Sequence, residues 1–174
     1  MALPVDFTSM LHALKTEIPA LTSMVTALMF LTGFIFIFRA LYALKLYGEA
    51  RTMMSSNAEL KGPLILFLVG TILLFYPTLF STSLSSIFGT SNILAYIPSA
   101  SDTAQEQEVM KDVGMIIQFV GVVAFFRGWL IVQALAGHSQ QASLGKALTH
   151  IIGGILLVNV FATWNVLKSA LGLG

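Results

Sequence analysis

Four long apolar stretches dominate the chain. They run from Ile18 to Phe38, from Pro63 to about Phe80, from Val113 to about Ala136 and from Ala147 to about Leu167. Each is close to the roughly 20 residues that an α-helix needs to cross the hydrocarbon core of a bilayer. None alternates apolar and polar residues as a membrane-barrel strand does, and a helix alone pairs every backbone N–H and C=O within the segment. The pattern predicts an all-α integral membrane protein with four transmembrane helices. Pro19 and Pro63 suit first-turn positions of the first and second helices, where a missing N–H costs nothing. Pro77, in Phe75-Tyr76-Pro77, should kink or end the second helix. The Ser81–Ser86 run after it reads either as a helix continuing with polar faces or as a re-entrant or interfacial segment.

The segments between these stretches complete the outline. Phe7, Met10, Leu11, Leu14 and Ile18 recur at helical spacing, which fits a short amphipathic helix on the membrane surface; the alternative is a frayed polar lead-in. With no basic start, and with Asp6 and Glu17, residues 1–17 do not read as a secretory signal peptide. In the middle connection, Thr103 followed by Glu106 fits a capping box, with Asp102 as a second candidate cap, for a short helix leading into the third apolar stretch. The expected organisation is an N-terminal interfacial helix (1–17), a first hairpin (18–88), an outer loop (89–112) and a second hairpin (113–174). The hairpins look like repeats. Gly33…Phe38-Arg39 has the spacing of Gly121…Phe126-Arg127, and Gly70-Thr71-Ile72-Leu73-Leu74 is similar to Gly153-Gly154-Ile155-Leu156-Leu157. Both would run in the same direction, as parallel repeats related by an axis along the membrane normal.

Composition strengthens this reading. Hydrophobic residues make up 56% of the 174 and charged residues only 10%, too few charges to cover a soluble globule. A net charge of +1 gives no reason to expect direct nucleic-acid binding. Cysteine is absent, so disulfides and thiolate metal sites are excluded. Arg39, Lys45, Arg51, Lys61, Arg127 and Lys146 fall in the first and third connections, against Lys15, Lys111 and Lys168 elsewhere. The positive-inside rule therefore puts those two connections in the cytoplasm, with the middle connection and both termini outside.

Candidate chemistry is sparse. His12, His138 and His150 lie in separate segments, and no metalloprotease, P-loop or nucleophile-elbow motif occurs. No carboxylate interrupts an apolar stretch, which argues against a proton relay. An enzyme is not expected, and no catalytic, cofactor or metal residue is assigned. Arg39, Arg127 and Lys146 are candidate lipid-binding residues, with plain topology anchoring as the alternative; bound phospholipid is the one cofactor-like group to consider. Gly114, Gly121 and Gly128, with Ala124 on the same face, form a small-residue stripe, and Gly153-Gly154 continues the theme in the fourth stretch. Small residues let helices approach closely, either inside a hairpin, as expected for Gly153-Gly154, or between subunits; for the stripe both options stand. Gln118, Asn159 and Asn165 should bond to neighbouring helices. Met53-Met54 is a possible partner contact.

Two motif blocks carry a family resemblance. One is Tyr47-Gly48-Glu49-Ala50-Arg51-Thr52-Met53-Met54-Ser55-Ser56, then Leu60-Lys61-Gly62-Pro63-Leu64. The other is Phe126-Arg127-Gly128 with Gly145-Lys146-Ala147-Leu148-Thr149-His150-Ile151-Ile152-Gly153-Gly154. The chain resembles, over about residues 20 to 170, the IcmC/DotE group, which includes DotV-like proteins and the TraQ proteins of conjugative plasmids. The resemblance implies an inner-membrane component of a type IVB secretion or conjugation machine that helps to move effector proteins or plasmid DNA. Its partners would be membrane lipid, other type IV subunits or further copies of itself. Two alternatives stand beside it: a pilin-like subunit that polymerises with phospholipid into an extracellular pilus, and a small channel or transporter.

Overall fold

The computed structural model describes residues 7–52, 59–89, 104–137 and 143–172. These form six helices and no strand: α1 (Phe7–Thr52), α2 (Lys61–Leu74), α3 (Tyr76–Phe88), α4 (Ala104–Ala136), α5 (Leu144–Val158) and α6 (Val160–Ala170). Two of them, α1 and α4, are long and apolar enough to cross a membrane; four spans result only if α2–α3 and α5–α6 each count as one bent span.

The first helix departs from expectation. α1 is continuous for 46 residues with Pro19 inside it, about 69 Å at a rise of roughly 1.5 Å per residue. The separate helix expected over residues 1–17 is not a distinct element, because residues 7–17 are the opening turns of α1. Pro19 is therefore not in the first turn, where it was expected: it lacks the N–H that would bond the Lys15 carbonyl and crowds that oxygen with its ring, yet the helix runs on through it. At the other end, the charges after Arg39 do not open a loop. Ala40, Leu41, Ala43, Leu44, Lys45 and Leu46 are strong helix formers, Lys45 pairs with Glu49 one turn on at 3.6 Å, and Arg51 lies over the Tyr47 ring. The short helix expected before the third stretch runs directly into it as the opening turns of α4, while its candidate caps Asp102 and Thr103, like Met53 and Met54, lie outside the described residues.

The second and fourth apolar stretches are broken. α3 turns 80° from α2, and α6 turns 96° from α5. The first break has the expected cause: Pro77 stands in the first turn of α3, where it cannot donate to the turn before it. The second has no proline. Asn159 leaves helical geometry at φ −113°, ψ 55°, and the Thr163 hydroxyl donates to the Leu156 carbonyl at 2.9 Å. That carbonyl would otherwise accept from the Val160 N–H, so the hydroxyl replaces the lost ladder bond.

The Ser81–Ser86 run is helical. Tyr76, Phe80 and Leu84 recur at four-residue spacing and are buried, while Ser81, Thr82, Ser85 and Ser86 are exposed. The hydroxyls of Ser81 and Ser83 donate back to the carbonyls of Thr78 and Leu79, so part of this polar face is satisfied by its own helix. The core joins both hairpins. Met29, Val69, Leu73, Leu84, Val122, Phe125 and Val158 are buried in one cluster, and Phe125 meets Tyr76 and Phe80 at ring separations of 5.6 and 5.3 Å.

α3 is therefore anchored to the bundle through one face. Leu84→Ala should destabilise the protein by about 2–5 kcal/mol through an unfilled cavity, whereas Ser86→Ala should stay within about 0.5 kcal/mol. Thermal unfolding of both variants in one detergent checks this; equal effects would mean that α3 does not pack as described.

Candidate functional site

Both hairpins close at a pair of facing glycines. A Cβ added to Gly33 would lie 2.8 Å from the Gly70 carbonyl oxygen, and one added to Gly70 would lie 2.9 Å from the Gly33 oxygen and 3.0 Å from the Ile37 nitrogen. The second hairpin repeats this geometry. A Cβ on Gly121 would lie 2.8 Å from the Gly154 oxygen and 2.8 Å from the Val158 nitrogen; one on Gly154 would lie 2.7 Å from the Phe125 nitrogen and 2.8 Å from the Gly121 oxygen. Each glycine thus meets its partner glycine and backbone one turn beyond it. Ala40, fully buried, and Gly128, whose added Cβ would meet Ile151 Cγ1 at 2.6 Å, each lie seven residues beyond the first glycine of their hairpin. In both hairpins the second helix breaks five residues past its glycine, at Phe75 and at Asn159.

This settles where the small residues go. Gly121 and Gly128 belong to the α4–α5 seam and not to a free subunit surface, so the option of a contact between subunits is withdrawn for them. Of the Gly153-Gly154 pair only Gly154 packs; an added Cβ on Gly153 meets nothing within 4 Å. Gly114 is buried and Ala124 half-buried.

The expected amide bonds are not what the seam shows. Asn159 is 1% exposed and sits at the α5–α6 break, and its Nδ2 has no hydrogen-bond partner. Gln118 is half-buried and Asn165 exposed. Trp129 Nε1, buried beside the aromatic cluster, is also without a partner.

Charged groups occupy the ends and the rim. Lys15 Nζ lies 2.9 Å from Asp112 Oδ1, whose side chain is 2% exposed. This bridge ties the first turns of α1 to those of α4, and sequence reasoning missed it. The available signal was position: each residue stands just before the apolar run of its helix. At the opposite end, an added Cβ on Gly62 would lie 3.5 Å from the Ala136 carbonyl oxygen, so α1 and α4 run in the same direction. Arg39, Arg127 and Lys146 are all exposed, and none of them has an ion pair among the described residues. Arg39 borders a shallow cavity of about 420 Å³ lined by Phe38, Tyr42, Ala43, Leu46 and Leu66.

Comparison with family models, with curated proteins and with solved structures gave no match to the chain.

The glycine crossings make a direct prediction. Gly154→Ala forces a methyl group against the Phe125 backbone and should cost about 1–3 kcal/mol through overpacking. Gly153→Ala meets open space and should be neutral or stabilising, by up to about 1 kcal/mol of helix propensity. Melting temperatures of the two variants in mild detergent distinguish them; equal shifts would refute the crossing.

Proposed function

We propose that the chain is a non-enzymatic structural subunit embedded in a bacterial inner membrane, within a type IVB secretion or conjugation apparatus. The observation that carries the membrane reading is the inverted surface. Only 17% of the most apolar window of α1, and 22% of that of α4, is buried. Leu21, Met24, Leu28, Phe30, Leu31, Phe34, Ile35 and Phe38 all stand exposed along α1. An apolar exterior of this extent needs lipid or protein against it. The hairpins themselves are held by close backbone packing, the means of helix association that works in lipid. The assignment to a secretion apparatus rests on the two motif blocks, of which Tyr47–Thr52 forms the polar end of α1 and Lys146–Gly154 opens α5.

On this reading, α2–α3 and α5–α6 act as bent spans, both termini are periplasmic, and the polar end of α1 is a cytoplasmic docking surface for other subunits. The partners are lipid, transfer subunits and further copies of this chain.

Four measurements test the reading. The protein should remain in membranes through a carbonate wash. Tags at positions 55 and 140 should be reachable only from the cytoplasm. Affinity purification in mild detergent should bring down transfer subunits or a homo-oligomer, and deletion should reduce transfer at least tenfold. A lone monomer with transfer unaffected by deletion would refute the role. Recovery in sheared extracellular filaments would replace it with the pilin-like alternative.

A further inference from the structure

The second hairpin carries positive charge and no negative charge of its own. From Val113 to the end of the chain there is no Asp or Glu, while Arg127, Lys146 and Lys168 are present. Two of these cations emerge on one face. Gly128 points into the seam against Ile151, with the Ala147 carbonyl at 3.1 Å from its added Cβ, and Ala147 is itself fully buried. These two residues therefore face each other between antiparallel helices. In such a pair, the residue preceding each facing position turns by about 100° to the same side. Arg127 and Lys146 are those residues. His150, one turn past Lys146 and with its Nδ1 2.8 Å from the Lys146 carbonyl oxygen, lies on the same side. Phe125 points away from them, toward Tyr76 and Phe80 of the first hairpin, so the basic face looks out of the bundle.

Depth decides what can neutralise it. With the Lys15–Asp112 bridge as the reference level, Arg39 lies 24 residues along α1 and Arg127 only 15 along α4. These are about 36 Å and about 22 Å of helix at roughly 1.5 Å per residue. The hydrocarbon core is about 30 Å thick. Taking the bridge, which stands just before both apolar runs, as the near edge of that core, Arg39 reaches beyond the far edge while Arg127 stops short of it, within reach of a snorkelling side chain. A phosphate at the base of the headgroup region is the anion found at that depth. The matching position of the first hairpin borders an apolar trough. Arg39 and Arg127 each lie six residues past the crossing glycine, and Leu66 and His150 each lie four before the partner glycine. The trough beside Arg39 and Leu66 is lined almost wholly by apolar side chains, as an acyl chain requires.

We propose that Arg127 and Lys146, with His150 beside them, bind the phosphate of an anionic phospholipid on the outward face of the second hairpin. The proposal rests on the membrane-embedded reading and adds a ligand to it.

Native mass spectrometry of the full chain in mild detergent, titrated with phosphatidylglycerol or with phosphatidylcholine of the same acyl chains, tests it. Wild-type protein should retain phosphatidylglycerol about tenfold more strongly, equivalent to about 1.4 kcal/mol. The R127Q/K146Q variant should lose that preference, and each single variant should lose part of it, which keeps the test decisive if the double variant does not fold. Arg127→Lys and, in the first hairpin, Arg39→Gln should preserve it. Millimolar inorganic phosphate should not displace the lipid. Equal retention of the two lipids by the wild type, an unchanged preference in R127Q and K146Q, or displacement by free phosphate would overturn the proposal. A chain that resists carbonate extraction yet shows no preference refutes this site alone; one that washes off the membrane refutes the membrane reading itself.

Discussion

Two helices can cross backbone to backbone only where neither presents a side chain. Both hairpins do so, at Gly33 with Gly70 and at Gly121 with Gly154. In water such a contact would add little to the burial of large side chains. In lipid the balance differs, because apolar surface gains nothing by leaving hydrocarbon for a protein interface. Association then depends on packing density and on weak polar contacts between backbones, such as Cα–H to carbonyl oxygen, and these require close approach. Side chains with most of their area exposed, such as Phe30 and Phe38 at 58% and 57%, are consistent with that balance.

Both hairpins also bend at the same distance beyond their crossings. Both second helices break five residues past the crossing glycine, although the local chemistry differs. A proline in the next turn marks one break; an asparagine and a threonine hydroxyl that takes over a carbonyl mark the other. The same spacing is thus reached by two different local devices. Beyond its break α3 lays Tyr76, Phe80 and Leu84 on the shared core, whereas α6 buries none of its residues. α2 and α5, at 14 and 15 residues, are about 21 and 22 Å long. Neither is sufficient alone for a core of about 30 Å.

Much of this was legible in the residue pattern, and the exceptions are instructive. The apolar stretches, the break near Pro77 and the likeness between Gly33…Arg39 and Gly121…Arg127 were visible because they depend on spacing along one helix. The α5–α6 break was not. Asn159 in an apolar run reads as an amide reaching for a neighbouring helix, and the Leu156–Thr163 bond that permits the bend spans seven residues. The length of α1 was missed because charge was taken to end a helix, whereas Lys45 and Glu49 support each other across a turn. The small-residue stripe could not be assigned to a partner from sequence, since Gly121 serves an internal and an external seam equally well until Gly154 is placed against it.

The Lys15–Asp112 bridge turns the repeat into something less symmetric than its sequence. It aligns the starts of α1 and α4, but Gly33 lies 18 residues past Lys15 and Gly121 only nine past Asp112. One crossing therefore sits about 14 Å of helical rise further along the bundle than the other. Residues at matching positions in the two hairpins are consequently held at different depths. An arginine beyond the edge of the hydrocarbon costs little, whereas one held short of that edge costs a few kcal/mol unless it reaches an anion. Arg39 and Arg127 share a spacing and a face, but the stagger gives them different surroundings, and it is the hairpin whose arginine stops short of the edge that also places a lysine and a histidine beside it. A change that let α4 slide by about two and a half turns against α1 would equalise the two sites, and the buried carboxylate of Asp112, paired with Lys15 at 2.9 Å, opposes that slide.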